Sequence, residues 1–157
     1  LEHWRRSKES HTKYQPPYKV LKSMKYYNIN NNIEKGLGQF TDERGSITDI
    51  FYGKSMNHGC IITNEPHAVR GNHYHKLTTQ YTLVLNGTLN YYSKPVDSNE
   101  PAQMFVAGHG DMIISEPGEI HAMKTGAHGC TFIAFAEGPR GGEDYESDTY
   151  RVDSIVR

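Results

Sequence analysis

The 157-residue chain has only two cysteines and no apolar run near the twenty or so residues that a transmembrane helix needs. Its first residues also lack the apolar segment of a secretory signal. We therefore predict a protein without a membrane span that stays in the cytoplasm. Cys60 and Cys130 have no CxxC neighbour and lie in apolar runs, which favours two unpaired, buried thiols over a disulfide.

The sequence is poor in the alanine and leucine of helical bundles but rich in turn formers and tyrosine. Fifteen Gly, seven Pro and eleven Tyr favour strands and turns. From Gly38 onward, short alternating or apolar runs recur at the spacing of a β-sandwich or barrel. The fold class is therefore predicted to be all-β.

Two stretches between the predicted strands are read as connections. At Asn86-Gly87 we predict a two-residue hairpin, because both residues tolerate a positive φ. The polar, Gly-rich segment 138–148 is predicted to be a loop or tail over one mouth of the barrel, and its acidic residues 143–148 are interpreted as solvated.

Charge is nearly balanced overall but not along the chain. Residues 1–25 hold seven Lys or Arg against two Glu, and the pair Pro16-Pro17 disfavours a helix. We predict a basic arm or linker over residues 1–23 and a single domain over residues 24–157. The arm is interpreted as a solvated extension, and binding to nucleic acid is not expected.

Potential ligands follow a two-part pattern with fixed spacing. His73 and His75 share one face of a predicted strand because residues i and i+2 project the same way. They belong to G-x-H-x-H-x4-Q-x6-G at residues 71–87, and G-x6-P-G-x2-H follows at residues 110–121.

These two parts resemble the paired motifs of the cupin superfamily over about residues 38–155. The resemblance implies a double-stranded β-helix, a small antiparallel barrel with its site inside. It also implies that His73, His75, Gln80 and His121 converge near one mouth.

Three further resemblances point to one class of substrate. R-G-x-H-x-H-K-x3-Q at residues 70–80 is similar to the pattern of the dTDP-sugar 3,4-ketoisomerases, metal-free cupins in which the histidine pair transfers protons. Residues 42–51 are similar to a strand of the dTDP-4-dehydrorhamnose 3,5-epimerases, and residues 142–152 resemble the endings of cupins of polysaccharide and nucleotide-sugar synthesis. They imply an isomerase or epimerase of a nucleotide-linked keto sugar, with His73 and His75 in proton transfer and no required cofactor.

Such a substrate needs cations for its phosphates. Arg70 can form a forked pair with a phosphate, and Lys76 and Arg44 are secondary candidates. Tyr91 and Tyr92 are candidates for a phenolic acid, although the sequence does not determine which of them faces the site. We also predict a homodimer, because the open sheet edge of so small a barrel is best covered by a second copy.

The same residues permit two other functions. In a metal-dependent cupin, a dioxygenase or isomerase of a small acid or thiol, His73, His75, His121 and the Gln80 carbonyl oxygen would hold Zn, Fe, Mn or Ni. Most metal-binding cupins carry a carboxylate where this chain has Gln80, which favours the metal-free interpretation. A non-catalytic cupin that binds a sugar or metal is the third possibility.

Overall fold

The computed structural model describes residues 19–21, 24–30 and 38–157, and this part of the chain is built almost entirely from strands. No helix in it is long and apolar enough to cross a membrane. The predicted arm falls mostly outside the described residues and stays a prediction. A short 3-10 helix covers Gly142–Asp144. The strands are β1 (Lys19–Leu21), β2 (Met24–Asn28), β3 (Gln39–Asp42), β4 (Gly45–Thr48), β5 (His58–Asn64), β6 (Val69–Tyr74), β7 (Thr79–Pro95), β8 (Gln103–Ala107), β9 (Asp111–Ser115), β10 (Glu119–Glu137) and β11 (Tyr150–Arg151).

The two longest strands connect the two layers of the barrel. β7 and β10 pair antiparallel from one end to the other. The first half of β7 pairs with β9 and the second half with β8, while the first half of β10 pairs with β6 and the second half with β5. Each long strand therefore passes from one layer to the other. This arrangement confirms the predicted all-β, double-stranded β-helix.

Two glycines allow the long strands to bend between the layers. Gly87 in β7 and Gly129 in β10 have φ values of 74° and 72°. A Cβ atom at Gly87 would lie 2.2 Å from the carbonyl oxygen of Gly129. The predicted hairpin at Asn86-Gly87 is wrong: the chain bends there but does not reverse, and β7 pairs with β10 on both sides of the bend. Gly87 adopts a positive φ at this bend instead of in a turn.

Replacing Gly87 with alanine should lower the free energy of unfolding by roughly 2–4 kcal/mol, because strain at positive φ adds to a clash with the backbone. Urea unfolding measures the effect. Gly53→Ala is the matched control, since Gly53 has a φ of 68° but nothing within 4 Å of its added Cβ. The free energy of unfolding of the control should fall only by the cost of holding alanine at a positive φ, about 1 kcal/mol. Equal losses in both variants would contradict the clash.

The interior between the layers is apolar at its centre. β5 alternates half-buried and exposed residues, as expected for a strand with one covered face. Cys60 and Cys130 are unpaired, as predicted, although only Cys130 is fully buried. The buried residues of the main cluster are Met24, Val84, Leu89, Tyr91, Ala107, Ile113, Met123, Cys130, Phe132 and Ala134.

Two strands at the edges of the sheet present apolar side chains to solvent. β5 and β8 each pair with a single strand among the described residues. Ile61 on β5 is 68% exposed and Val106 on β8 is 54% exposed. Covering such edges with a second copy would bury this surface, and the homodimer stays a prediction.

Candidate active site

An irregular backbone precedes the first site histidine. Gly71 and Asn72 have consecutive positive φ values of 85° and 58°, and the pairing of β6 with β10 shifts register beside them. A Cβ atom at Gly71 would lie 2.6 Å from the carbonyl oxygen of His121. On the other side, Asn72 accepts the backbone N–H of Ile155 through its side-chain oxygen, at 2.9 Å. The backbone that aims His73 is therefore held between β10 and the C-terminal segment.

Three imidazoles meet inside one mouth of the barrel and form what we call the three-histidine site. The ring centroids lie 5.0 Å apart for His73 and His75, 4.7 Å for His73 and His121, and 5.3 Å for His75 and His121. One ring nitrogen from each lies within 4.8 Å of the others. His75 and His121 are buried, whereas His73 is half-buried. His73 is thus the most exposed of the three histidines.

Hydrogen bonds fix the tautomers of the two buried histidines. The Nδ1 atom of His75 lies 2.7 Å from the carbonyl oxygen of Asp148, and that of His121 lies 3.3 Å from the carbonyl oxygen of Glu119. Because a carbonyl only accepts, each neutral imidazole donates from Nδ1 and keeps a lone pair on Nε2. Both Nε2 atoms are buried without a hydrogen-bond partner among the described residues. Two unused acceptors are therefore enclosed in the site.

All three imidazoles are neutral at pH 7. Burial, followed by the repulsion that a protonated His75 would exert and by the positive charges of Arg140 and Arg151, lowers the pKa of His73 to about 4. Burial also lowers the pKa of His75 and places that of His121 well below its usual value of 6.5. Neutral imidazoles can accept a proton or coordinate a metal ion.

Gln80 lies beside this site and begins a polar path into the barrel. Its side chain is buried, and its Nε2 donates to the Thr82 hydroxyl at 3.3 Å. Burial lowers the pKa of His75, and Gln80 partly offsets this effect by raising it. Further in, the Tyr91 hydroxyl bonds to that of Ser115, and burial strongly raises the pKa of Tyr91. The structure therefore brings Gln80 to the three-histidine site, as the cupin resemblance implies.

The two candidate tyrosines differ in direction. The ring of Tyr91 lies 6.2 Å from that of His121, on the interior side of β7. The hydroxyl of Tyr92 donates instead to the carbonyl oxygen of Arg157, at 3.0 Å. Of the two, Tyr91 faces the interior.

Glu119 is a buried carboxyl group that sequence reasoning missed. It hydrogen-bonds to the Ser93 hydroxyl, and burial raises its pKa to about 7. It shares a strand face with His121 because it lies two residues earlier on β10. That same i, i+2 relation in the sequence P-G-E-I-H was the signal that could have identified it.

Asp148 connects the segment 138–148 to the site. Its carboxylate accepts the backbone N–H groups of Lys76, Leu77 and Thr78 at 2.9, 3.0 and 2.8 Å. Burial opposes ionisation, but these donors outweigh it and lower the pKa of Asp148. The segment is a loop, as predicted, but the interpretation of its acidic run as solvated is wrong for Asp148, which is 2% exposed.

The cations predicted to bind phosphate lie in different environments. Arg44, at the turn between β3 and β4, pairs with Asp42 at 2.6 Å. Arg70 donates from Nε to the Asn64 side chain. The Nζ atom of Lys76 lies 4.1 Å from the centroid of the Tyr150 ring. The arginines with the largest effect on His73 are Arg140 and Arg151, which the sequence pattern did not single out because neither belongs to a histidine motif.

Comparisons with known proteins agree with this geometry. Residues 40–136, more than half of the chain, match the family described as polysaccharide biosynthesis C-terminal domain. The fold is similar to that of the sugar 3,4-ketoisomerase QdtA from Thermoanaerobacterium thermosaccharolyticum in complex with TDP, with a TM-score of 0.64, 18% identity and coverage of 85% of this chain and 91% of that one. No curated protein matches the sequence.

The fold is also similar to that of two other solved structures, an epimerase and a capsular polysaccharide protein. A dTDP-4-dehydrorhamnose 3,5-epimerase from Sulfolobus tokodaii has a TM-score of 0.67 and 16% identity, with 89% of this chain and 84% of that chain covered. The capsular polysaccharide assembling protein CapF from Staphylococcus aureus has a TM-score of 0.56 and 20% identity, with 75% of this chain and 33% of that chain covered. The resemblances to the 3,4-ketoisomerases and the 3,5-epimerases that the sequence suggested are therefore found again at the level of the fold.

Proposed function

The chain belongs to the polysaccharide biosynthesis C-terminal domain family, and from that premise we propose that it isomerises or epimerises a nucleotide-linked keto sugar by histidine proton transfer. The observation that carries this proposal is the three-histidine site, where a half-buried, neutral His73 lies in front of two buried imidazoles. The similarity of the fold to a ketoisomerase and an epimerase of dTDP sugars supports the same substrate class.

In the proposed reaction, His73 removes the proton from the carbon beside the ketone. The electron pair of the broken C–H bond forms a carbon–carbon double bond while the π pair of the ketone moves onto its oxygen, which gives an enediolate where the deprotonated carbon carries a hydroxyl group. The sugar is isomerised when a proton returns to the former ketone carbon and the proton of that hydroxyl group passes to the former ketone oxygen, so that the ketone forms at the deprotonated carbon. Return of a proton to the other face of the deprotonated carbon restores the ketone and epimerises the sugar. His75 has its Nε2 lone pair directed into the site and can take part in this transfer.

A metal-dependent function is the second candidate, and the unpartnered Nε2 atoms of His75 and His121 favour it. These two atoms, a ring nitrogen of His73 and the Gln80 carbonyl oxygen would hold a divalent ion such as zinc. Bound there, an ion would supply Lewis-acid polarisation of a carbonyl oxygen. The residues fit such an ion, and they fit proton transfer without one.

One experiment separates these candidates. The metal content of chelator-free protein is measured, and dTDP-4-keto-6-deoxyglucose is then incubated with the protein in deuterated water, with and without a chelator. We expect incorporation of deuterium at a carbon next to the ketone that survives chelation. Incorporation that stops on chelation and returns with zinc would favour the metal-dependent function. No incorporation under either condition would contradict isomerisation and epimerisation alike.

The rate of exchange should depend little on pH until strongly acidic conditions. Only the unprotonated form of His73 accepts a proton, and its pKa in the free protein is about 4, below the usual 6.5. We expect kcat/KM to be level around neutral pH and to fall along an acid limb near pH 4. A limb at about 6.5 would mean that His73 is not the base.

The lowered pKa of His73 also makes the folded state less stable as pH falls from 6.5 towards 4, since the unfolded chain takes up the proton first.

A further inference from the structure

A cleft of about 690 Å³ opens between the start of β5 and the segment 138–144. It is lined by Asn57 and His58, by residues 138–142 and by Asp144. This volume lies in the range of sites that enclose small organic ligands, about 300–1,000 Å³. The proposed proton transfer involves only the sugar ring, so it leaves the cleft without a role.

Arg140 links the cleft to the site. It lines the cleft, and its positive charge also lowers the pKa values of His73, His75 and His121. Its guanidinium also donates to the hydroxyl of Thr149, which follows Asp148, and the carbonyl oxygen of Asp148 lies 2.7 Å from Nδ1 of His75. Arg140 therefore lies between the cleft and the backbone that contacts the three-histidine site.

The guanidinium of Arg140 is held in place but keeps donors free. One nitrogen, Nη1, donates to the Thr149 hydroxyl at 3.1 Å, and the group lies 4.6 Å from the centroid of the Tyr145 ring. Within residues 38–157, no carboxylate lies at ion-pair distance from it. Arg151, by contrast, is paired with Glu146 through two nitrogens, at 2.6 and 2.9 Å. Arg140 thus presents unused N–H groups of a planar cation next to the cleft.

We infer that Arg140 binds the diphosphate of the substrate, with the keto sugar at the three-histidine site and the nucleoside in the cleft. The assignment rests on the proposed function for the class of substrate. A guanidinium with free donors forms forked, charge-assisted hydrogen bonds with phosphate oxygens. The carboxylate of Asp144 repels phosphate. It can instead accept hydrogen bonds from the hydroxyl groups of the nucleoside, which are therefore assigned to that part of the cleft. In this assignment Arg140 replaces Arg70 as the main phosphate contact.

The test measures the binding of thymidine diphosphate, uridine diphosphate and uncharged thymidine by isothermal titration calorimetry. Wild-type protein is compared with Arg140→Gln and Arg140→Lys. The reference ligand is whichever of the two diphosphates binds wild-type protein more tightly. We expect Arg140→Gln to weaken its binding roughly ten- to hundredfold and to leave the affinity for thymidine unchanged, because only the phosphate contacts are lost. Arg140→Lys, which keeps the charge but not the fork, should fall between the two.

Arg157→Gln is the matched control, since it removes the same charge from a guanidinium that lines a different cleft, beside Lys94. An equal loss in Arg157→Gln, or no loss in Arg140→Gln, would overturn the assignment of Arg140 while leaving proton transfer at His73 intact. Failure of both diphosphates to bind wild-type protein would overturn the assignment and the substrate class together. The thermal unfolding midpoint of Arg140→Gln, compared with that of wild type, shows whether a loss of binding comes from a loss of folding.

Discussion

Replacing His73 with asparagine should reduce deuterium exchange into the keto sugar by about 10²- to 10⁴-fold, the usual contribution of a general base. Asparagine is close to histidine in size but has no nitrogen that accepts a proton near neutral pH. His73 is half-buried at the mouth, and it has no hydrogen bond to other described residues that the substitution would break. The binding of thymidine diphosphate should therefore persist while exchange is lost.

His128→Asn provides the comparison for His73→Asn. His128 is exposed in the bend of β10 and does not belong to the three-histidine site. Its replacement should leave exchange at the wild-type rate, measured by mass spectrometry of the recovered sugar. Full exchange in His73→Asn would transfer the role of base to His75, whose Nε2 also holds a lone pair. Equal losses in both variants would point to a general effect of the substitutions on the fold.

The convergence of the histidines could be predicted partly from the local sequence and partly from the cupin resemblance. His73 and His75 share a strand face through the i, i+2 relation, and the second motif places His121 on the strand that pairs with β6. The all-β class followed from the composition and the spacing of the strand-like runs, whereas the double-stranded β-helix was implied by the cupin resemblance. The hairpin at Asn86-Gly87 failed because a residue that tolerates positive φ can either bend a strand or reverse it. Only the distant partner, Gly129 on β10, decides between these outcomes.

The residues that sequence reasoning missed act across long separations in the chain. Asp148 holds a loop that begins 72 positions earlier, and Arg140 acts on histidines from two distant parts of the sequence. Neither residue lies in a histidine motif, and a carboxylate in an acidic run ordinarily faces solvent. The burial of Asp148 follows from the amide groups that surround it, and these come together only when the chain has folded. The roles of His73 and His75 in the reaction stay predictions.

Asp148→Ala should have the largest effect on stability, a loss of about 3–5 kcal/mol in the free energy of unfolding. The substitution removes the acceptor for three backbone N–H groups, of which that of Thr78 is fully buried. It also loosens the segment whose carbonyl oxygen fixes the tautomer of His75. Urea unfolding at pH 7 measures the loss. Glu143→Ala, an exposed acidic residue of the same segment, should change stability by less than about 0.5 kcal/mol.

The pH dependence of unfolding tests whether the charge of Asp148 provides this stabilisation. The folded state lowers the pKa of Asp148 from 3.8, so the contribution is fully present above the unfolded value and is lost as pH falls through the folded one. The difference in unfolding free energy between wild type and Asp148→Ala should therefore be constant from about pH 5 to 7 and shrink below about pH 4. A difference that stays constant down to pH 3 would mean that the side chain stabilises the loop by packing. In that case the three amide groups would find other partners in the variant, and the tautomer of His75 would not depend on the charge of Asp148.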